Sequence, residues 1–495
     1  MTDEHNELTE HRLEKLDTLR RMGKDPFAIE RYERTHMAQE IISDYEGLEG
    51  KEVSVAGRVV SFRPMGKAAF AHIQDPSGKI QVYLKADLVG AEAYELVKLM
   101  DIGDIIGVVG KVEKTRMGEI TVFASKLEIL AKSLLPLPIG KQKGDQEWYG
   151  LQDVEQRYRQ RYADLIVNPE VRDVMLKRSR IIRAIRQFLD DEDFIEVETP
   201  VLQAVAGGAA AKPFNTYYNA LDHEFHLRIS LELYLKRLIV GGFDRVYELG
   251  RVFRNEGLST RHNPEFTMLE LYQAYTNLEG MMDLVERMFG QVCNELYGGL
   301  TFIYQGQTID LTPPWRRLPL LESIREYAGV QPEEFKTFES AKSAGERLGL
   351  PMEQETTIGG IVDKIFERFV QPNLIQPTFV TDFPVDISPL AKKDPDNPSL
   401  TRRFEPHIVG LECGNAFSEI NDPIDQRERF TAQAKMRAAG DEEAHPMDED
   451  FLRALEYGMP PTGGLGVGVD RLIMLFTDEP SIRDVILFPQ LKPEK

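Results

Sequence analysis

Two cysteines, Cys293 and Cys413, are all that 495 residues contain, too few and too far apart for a disulfide framework or a four-ligand zinc site. Buried reduced thiols are expected. Also missing is any run of ~20 consecutive apolar residues, so no segment reads as a membrane span. The opening MTDEHNELTEHRLEKL mixes acids and bases where a secretory leader would need a basic start and an apolar stretch, and it reads as a solvated amphipathic helix. A cytoplasmic protein without membrane attachment is expected. There is no extended Pro, Gly, Ser or Gln bias, no low-complexity tract and no internal repeat, which argues against a disordered chain. Positive charge is in short supply: 60 Lys and Arg against 81 Asp and Glu give −21, which excludes a protein that coats nucleic acid by bulk electrostatics. A local basic track remains open, with RYRQRY at 157–162 and LKRSRIIRAIR at 176–186 the densest stretch and a solvated helix face the competing reading.

What is present is ordinary globular composition, 42% hydrophobic and 28% charged. At ~100–200 residues per domain the length implies roughly two to four units. Residues 1–50 read as an N-terminal helical segment, and 51–132 as short β-rich runs separated by the turn signals PMGK, DPSG and RMG. Five strands with the helical AEAYELVKLM after the third suit an OB-type barrel, although pattern alone does not separate barrel from sandwich. The aperiodic SLLPLPIGKQKGD marks a linker, placed at 133–152. In the remaining 153–495, Asn168-Pro169-Glu170 starts a long helix with Val171, Val174, Ile181, Ile185 and Phe188 at helical spacing, and FIEVETP follows as a strand stopped by Pro200. Segments 318–330 and 358–370 read as helices, and FVTDFPVDIS, ECGNAFSEI and GGLGVGVD as strands. The expected class is α+β multidomain, an N-terminal β-barrel followed by an antiparallel sheet flanked by helices.

Three stretches could carry chemistry. In FDRVYELGRVFRNEGLSTRHNPEFTMLELYQAY, 243–275, two strands flank a polar loop; period-two alternation puts Arg254 with Glu256 on one strand, and Phe266, Met268, Glu270 and Tyr272 together on the other. A surface hairpin with salt bridges is the plain alternative. In PPTGGLGVGVDRLIML, Gly464, Gly466 and Gly468 clear one strand face before a helix near Arg471, as though a flat ligand lay there. Neither a P-loop nor a dinucleotide fingerprint is matched. In ECGNAFSEI, Asn415, Phe417 and Glu419 share a face, with Glu405 and Glu412 upstream; solvated acids are the alternative.

FIEVETP, RVFRNEG with RHNPEF, and GGLGVGVDR together resemble motifs one, two and three of the class II aminoacyl-tRNA synthetases. RYRQRYADLI, ELYLKRLIVGGFDRVYELGRVFRNEG, PVDISPLAK, ECGNAFSEINDP and SIRDVILFPQLKP resemble the lysyl-tRNA synthetases over nearly the whole chain. The resemblance implies an OB-fold anticodon-binding domain, a class II catalytic domain, and ATP-dependent formation of lysyl-adenylate followed by transfer to tRNA(Lys). By the same resemblance Arg254 and Arg471 are catalytic. Arg254, Glu256, Arg261, His262, Phe266, Glu405 and Arg471 bind ATP, and Glu405 and Glu412 hold Mg2+. Gly208, Glu232, Arg254, Glu270, Tyr272, Asn415, Phe417 and Glu419 surround lysine, and Arg63, Phe70, Gln81 and Glu119 read the anticodon. For Phe70 the alternative is barrel core. A homodimer through motif one is implied, compatible with the apolar face of the 171–189 helix. Leu231 stands where proline is common, Lys212 where arginine is frequent, and Tyr217-Tyr218 where histidines are often found. Competing readings are an aspartate- or asparagine-specific relative, a protein-lysylating paralogue, which would lack the barrel, and a noncatalytic tRNA-binding descendant.

Overall fold

The computed structural model describes residues 3–138, 142–143, 146–147 and 150–494, so the expected linker at 133–152 lies partly outside the described residues. Backbone proximity divides the chain into two units, 1–152 and 153–495.

In the first unit five strands close a barrel: Glu52–Met65, Ala68–Gln74, Lys79–Lys85, Ile105–Lys114 and Ile120–Ala131. All neighbouring pairs are antiparallel except 79–85 with 120–131. Alternation decides its interior: Val53, Val55 and Val59, Ala69, Ala71 and Ile73, then Ile80, Val82 and Leu84 point inward and are buried. Helix Ala91–Leu99 follows the third strand, and barrel rather than sandwich is the outcome. Helix Asp3–Arg21 precedes the barrel and buries Leu16 and Leu19.

The second unit is built on a nine-stranded sheet. Eight strands run in the order 316–319, 378–381, 403–408, 414–418, 462–468, 265–274, 245–253, 195–196, and the short 411–412 pairs with 403–408. The sheet is mixed rather than purely antiparallel, because the outermost pairs at both edges, 316–319 with 378–381 and 245–253 with 195–196, are parallel. One face packs against helices Pro169–Asp191, Leu278–Tyr297 and Val469–Thr477: Leu269, Leu271, Leu465 and Val467 meet Ile181, Ile185, Phe289 and Phe476 in one apolar core. The opposite face is left for polar side chains, bounded by helices Glu232–Val240 and Glu449–Glu456.

Several sequence expectations shift in detail. The FIEVETP strand is only Ile195–Glu196. Asn168 occupies the N-cap place before Pro169, yet its amide donates to Asp164 (2.6 Å) rather than capping the helix. The 358–370 segment is an α-helix to Ile365 continued by a π-turn, Phe366–Val370. The basic stretch is divided between the interior and a solvated face, on which Arg180 and Arg183 are exposed. Arg161 is buried against Asp164, Arg178 pairs with Asp470 and Arg186 with Glu196. Both cysteines are buried and free, and burial pushes their thiols up to about 11 for Cys293 and about 12 for Cys413.

Candidate active site

The register of the central strands assembles the site in rows. Tyr272 lies opposite Gly464, which lies opposite Phe417, which lies opposite Arg403; Glu270, Gly466 and Asn415 form the next row, and Met268 with Gly468 begins a third. Because paired residues of antiparallel strands point to the same face, these side chains converge on one floor. That floor closes a cavity of about 580 Å³.

Gly208, Glu232, Arg254, Glu256, Arg261, His262, Phe266, Glu270, Tyr272, Glu412, Asn415, Phe417, Glu419 and Arg471 all line the cavity. Glu405 does not line it: it is buried beneath, accepting from Arg403 (2.6 Å) and lying 3.2 Å from His407 Nε2. Two expectations about backbone placement fail. The 245–253 strand ends at Phe253, so Arg254 and Glu256 sit in the loop beyond it, where Arg254 N donates to Pro264 O (2.8 Å). The three glycines also do not share one purpose. A Cβ at Gly466 would meet nothing nearer than 3.7 Å, which leaves a flat open floor, whereas one at Gly464 would fall 1.9 Å from Glu419 Oε1 and 2.6 Å from Tyr272. Gly464 makes room for a protein carboxylate, not for a ligand.

At one end of the cavity the charges are basic. Arg254 lies over the Phe266 ring, 5.2 Å from its centroid, and burial lowers its pKa. Its one described side-chain hydrogen bond is a long one, 3.4 Å, to the Ile229 carbonyl. Arg471 donates to Glu412 (3.0 Å) and its other amino group lies 3.2 Å from His262. Burial, reinforced by Arg471, lowers the His262 pKa, and its Nδ1 lies 3.0 Å from Ser259 Oγ.

At the other end the charges are acidic. Glu270 accepts from Ser230 Oγ (2.7 Å), Leu231 N (2.9 Å) and Tyr272 OH (3.2 Å). Burial, with the Glu232 charge adding to it, still pushes Glu270 up to about 7. Glu419 is pushed up to about 8 by burial, against the pull of Lys236. Leu231, one of the departures from the resemblance, supplies through its N–H a bond that proline could not make. Gly208 borders this end with φ at +89°, and a Cβ there would press 2.9 Å from Ser230 Oγ, so both conformation and space call for glycine.

Sequence reasoning missed three participants. Lys236, fully buried, forms ion pairs with Glu232 and Glu419. Arg403 lines the cavity and donates to Asn415 Oδ1 (3.0 Å) and Glu405, between the rings of Phe383 and Phe417. In the barrel, His72 lies 2.8 Å from Glu119 Oε1 and 2.8 Å from Ser61 Oγ. Gln81 donates to the other Glu119 oxygen (2.6 Å), and Arg63 is the cross-strand neighbour of Phe70. Phe70 is not barrel core: its neighbours Ala69 and Ala71 point inward, and its half-buried ring lies 4.6 Å from that of Tyr83 at a tilt of 35°. For Lys236 the only signal was its spacing, one helical turn from Glu232.

Residues 153–492 match the family model of tRNA synthetases class II (D, K and N), and 53–130 match that of the OB-fold nucleic acid binding domain. The chain belongs to the class II tRNA synthetases. Among curated relatives of this synthetase, a lysine–tRNA ligase of Thermoanaerobacter pseudethanolicus is 57% identical over 493 residues, covering 100% of this chain and 97% of the relative. The Carboxydothermus hydrogenoformans lysine–tRNA ligase is 56% identical, with 99% of each chain covered. That of Bacillus subtilis is 52% identical, covering 99% of this chain and 98% of its own. Among the described residues no helix is long and apolar enough to cross a membrane.

Proposed function

We propose that the protein is a lysine–tRNA ligase, cytoplasmic, which joins lysine to ATP as lysyl-adenylate with loss of pyrophosphate and then passes the lysyl group to tRNA(Lys). The observation that carries this reading is the acidic end of the cavity, where Glu232, Glu270 and Glu419 surround a space bordered by Tyr272. A diamino acid offers two ammonium groups to such a wall. Aspartate or asparagine would bring a side chain with no positive charge, and aspartate would add a further buried negative one. The full-length similarity to lysine–tRNA ligases supports the same choice.

The first step brings an anionic carboxylate to anionic phosphate, so positioning and charge neutralisation dominate. In our reading Arg254 binds both the lysine carboxylate and the α-phosphate, with Asn415 beside the carboxylate. Arg471, Arg261 and His262 take the outer phosphates, Phe266 stacks on adenine and Glu256 accepts from its amino group. The carboxylate is already ionised and attacks phosphorus itself; pyrophosphate leaves with the electron pair. In the second step a terminal ribose hydroxyl of tRNA attacks the lysyl carbonyl carbon and AMP leaves. Glu232 with the Gly208 backbone holds the α-ammonium, and Glu419 with Tyr272 the ε-ammonium, while Glu270 and Phe417 line the pocket.

The carboxylates near the phosphate end suit Mg2+. Burial and the charges of Glu405 and Glu412 push Asp363 up to about 7 and raise Glu367, a surplus of negative charge that a cation would relieve. Glu412, on the cavity wall, would hold the ion together with Glu405, which lies beneath that wall and would exchange its Arg403 contact for the cation; the ion would supply charge neutralisation shared with substrate phosphates. Mg2+ bound with ATP needs only one or two protein carboxylates.

Anticodon binding falls to Arg63, Phe70, Gln81 and Glu119 on the barrel. A homodimer is part of the proposal, though not through the helix face first considered: Val174, Ile181 and Ile185 are buried within this chain. Leu176, 55% exposed, Ile195, 49%, and Leu202, 47%, are among the exposed apolar groups that a second copy would cover, and light scattering at micromolar concentration tests it. The decisive functional test is amino-acid-dependent ATP–pyrophosphate exchange. Lysine should support it; exchange with aspartate or asparagine and not with lysine would overturn the assignment.

A further inference from the structure

Lys236 lies in the ELYLKRLIVGGF stretch, where the resemblance assigns it no role, yet it is the best-placed cation in the amino-acid end of the site. It follows Glu232 by one turn of the same helix, its side chain is wholly buried, and its ammonium touches Oε1 of Glu232 and Oε2 of Glu419. Both carboxylates line the cavity and Lys236 does not, so it grips them from the protein side. Glu419 Oε1 is buried and has no hydrogen-bond partner among the described residues. The rings of Tyr272 and Phe451 lie 5.8 and 5.9 Å from the ammonium and hold it in place.

The charged and titratable groups facing this ammonium or its carboxylate partners are Glu232, Glu419, Glu270, Tyr272, Arg403 and His445. Burial pushes His445 down to about 4, so it is neutral, and Arg403 is spent on Glu405 and Asn415. Three buried carboxylates, Glu232, Glu270 and Glu419, therefore share one resident cation. We infer that Lys236 is a positioning residue that sets the charge count of the pocket: it matches one of three carboxylates from within and fixes Glu232 and Glu419 in orientation, leaving a deficit of two positive charges, the number a diamino acid carries. A monoamino acid would leave one carboxylate unmatched, either ionised and buried or forced to keep a proton. The elevated pKa values of Glu270 and Glu419 agree with an empty pocket that holds protons until substrate ammonium groups replace them. The inference rests on the proposed function, since lysine is taken as the substrate.

Two measurements test it. Calorimetric titration of the wild-type protein with lysine at neutral pH, in buffers of differing ionisation enthalpy, should show net release of about one proton or more per site. No proton exchange would overturn the charge-matching account without any variant having to fold. In ATP–pyrophosphate exchange, Lys236→Met should raise the lysine KM by roughly 10²-fold while the ATP KM stays within about twofold, since truncating one partner of a buried charge pair leaves the others uncompensated. The pH at half-maximal lysine kcat/KM should move upward, and Lys236→Arg should recover more than half of the loss on a logarithmic scale. An unchanged lysine KM, or equal losses for both substrates, would overturn the role. Absence of lysine-dependent exchange in the wild type would instead sink the proposed function, so the two failures are distinguishable.

Discussion

Arg254 is a cation recessed in the cavity wall with no ion-pair partner among the described residues, and burial lowers its pKa. Such a group is costly unless an anion arrives, which is what a site for phosphate and carboxylate requires. Arg254→Ala should lower lysine-dependent exchange by roughly 10²–10³-fold, the scale for removing one preorganised donor. Near-normal exchange by a folded variant would contradict the role. A second residue-scale consequence comes from Glu270, at about 7, and Glu419, at about 8, both above the ordinary 4.5 because of burial. Between the ordinary and the raised values the folded protein holds protons that the unfolded chain releases, so its stability declines as pH rises through that window. Lysine favours the ionised carboxylates. Its kcat/KM should therefore climb from about pH 6 to about pH 8, and saturating lysine should flatten the fall in melting temperature over the same range. A lysine kcat/KM that fell with pH across that interval would refute the protonation account.

At the scale of elements, the 462–468 strand shows why one face carries glycine. The Cβ of a Gly464→Ala variant would overlap Glu419 Oε1, whereas at Gly466 it would enter open space. Gly464→Ala should therefore raise the lysine KM by about tenfold or more through displacement of Glu419, with melting temperature lowered modestly. Gly466→Ala should act mainly on substrate fit and leave stability within ~0.5 kcal/mol. Equal effects of both substitutions on lysine and ATP would show that the glycines serve the strand and not the pocket. The sequence already indicated this strand, its neighbours 265–274 and 414–418, and the long 169–191 helix, because period-two and helical spacing are local properties. It did not distinguish the glycines, because what occupies the space above a strand comes from a residue more than forty positions away. Lys236 was barely legible for a related reason: on a helix of ELYLKRLIV its one-turn spacing from Glu232 is an ordinary helix ion pair, and only tertiary packing turns it inward against the distant Glu419. The parallel edge pairs, at 195–196 and 316–319, were likewise hidden, since strand direction at a sheet edge depends on connections rather than on the strand's own residues.

At the scale of the whole molecule, the proposed adenylation cavity and the proposed anticodon readers fall in separate units, 153–495 and 1–152. The resemblance indicated Gln81 and Glu119 as readers, but not that they act as a set: His72 and Gln81 each engage one Glu119 oxygen, while Thr121 donates to Gln81 (2.8 Å). Side chains held this way present fixed donor and acceptor edges, which suits hydrogen bonding to unpaired bases. Removing one member should loosen the others. Gln81→Ala should consequently lower kcat/KM for tRNA by roughly 10–10²-fold, on the scale of losing a base contact of ~1–3 kcal/mol. It should leave tRNA-independent lysine exchange within about twofold, because no group of the adenylation cavity is altered. His72→Ala, which leaves Gln81 itself intact, should show the same pattern to a lesser degree if the network orients Glu119. A Gln81→Ala variant whose exchange fell as far as its tRNA charging would mean that the substitution disturbs the catalytic unit as well, and the assignment of recognition to the barrel face would have to be withdrawn.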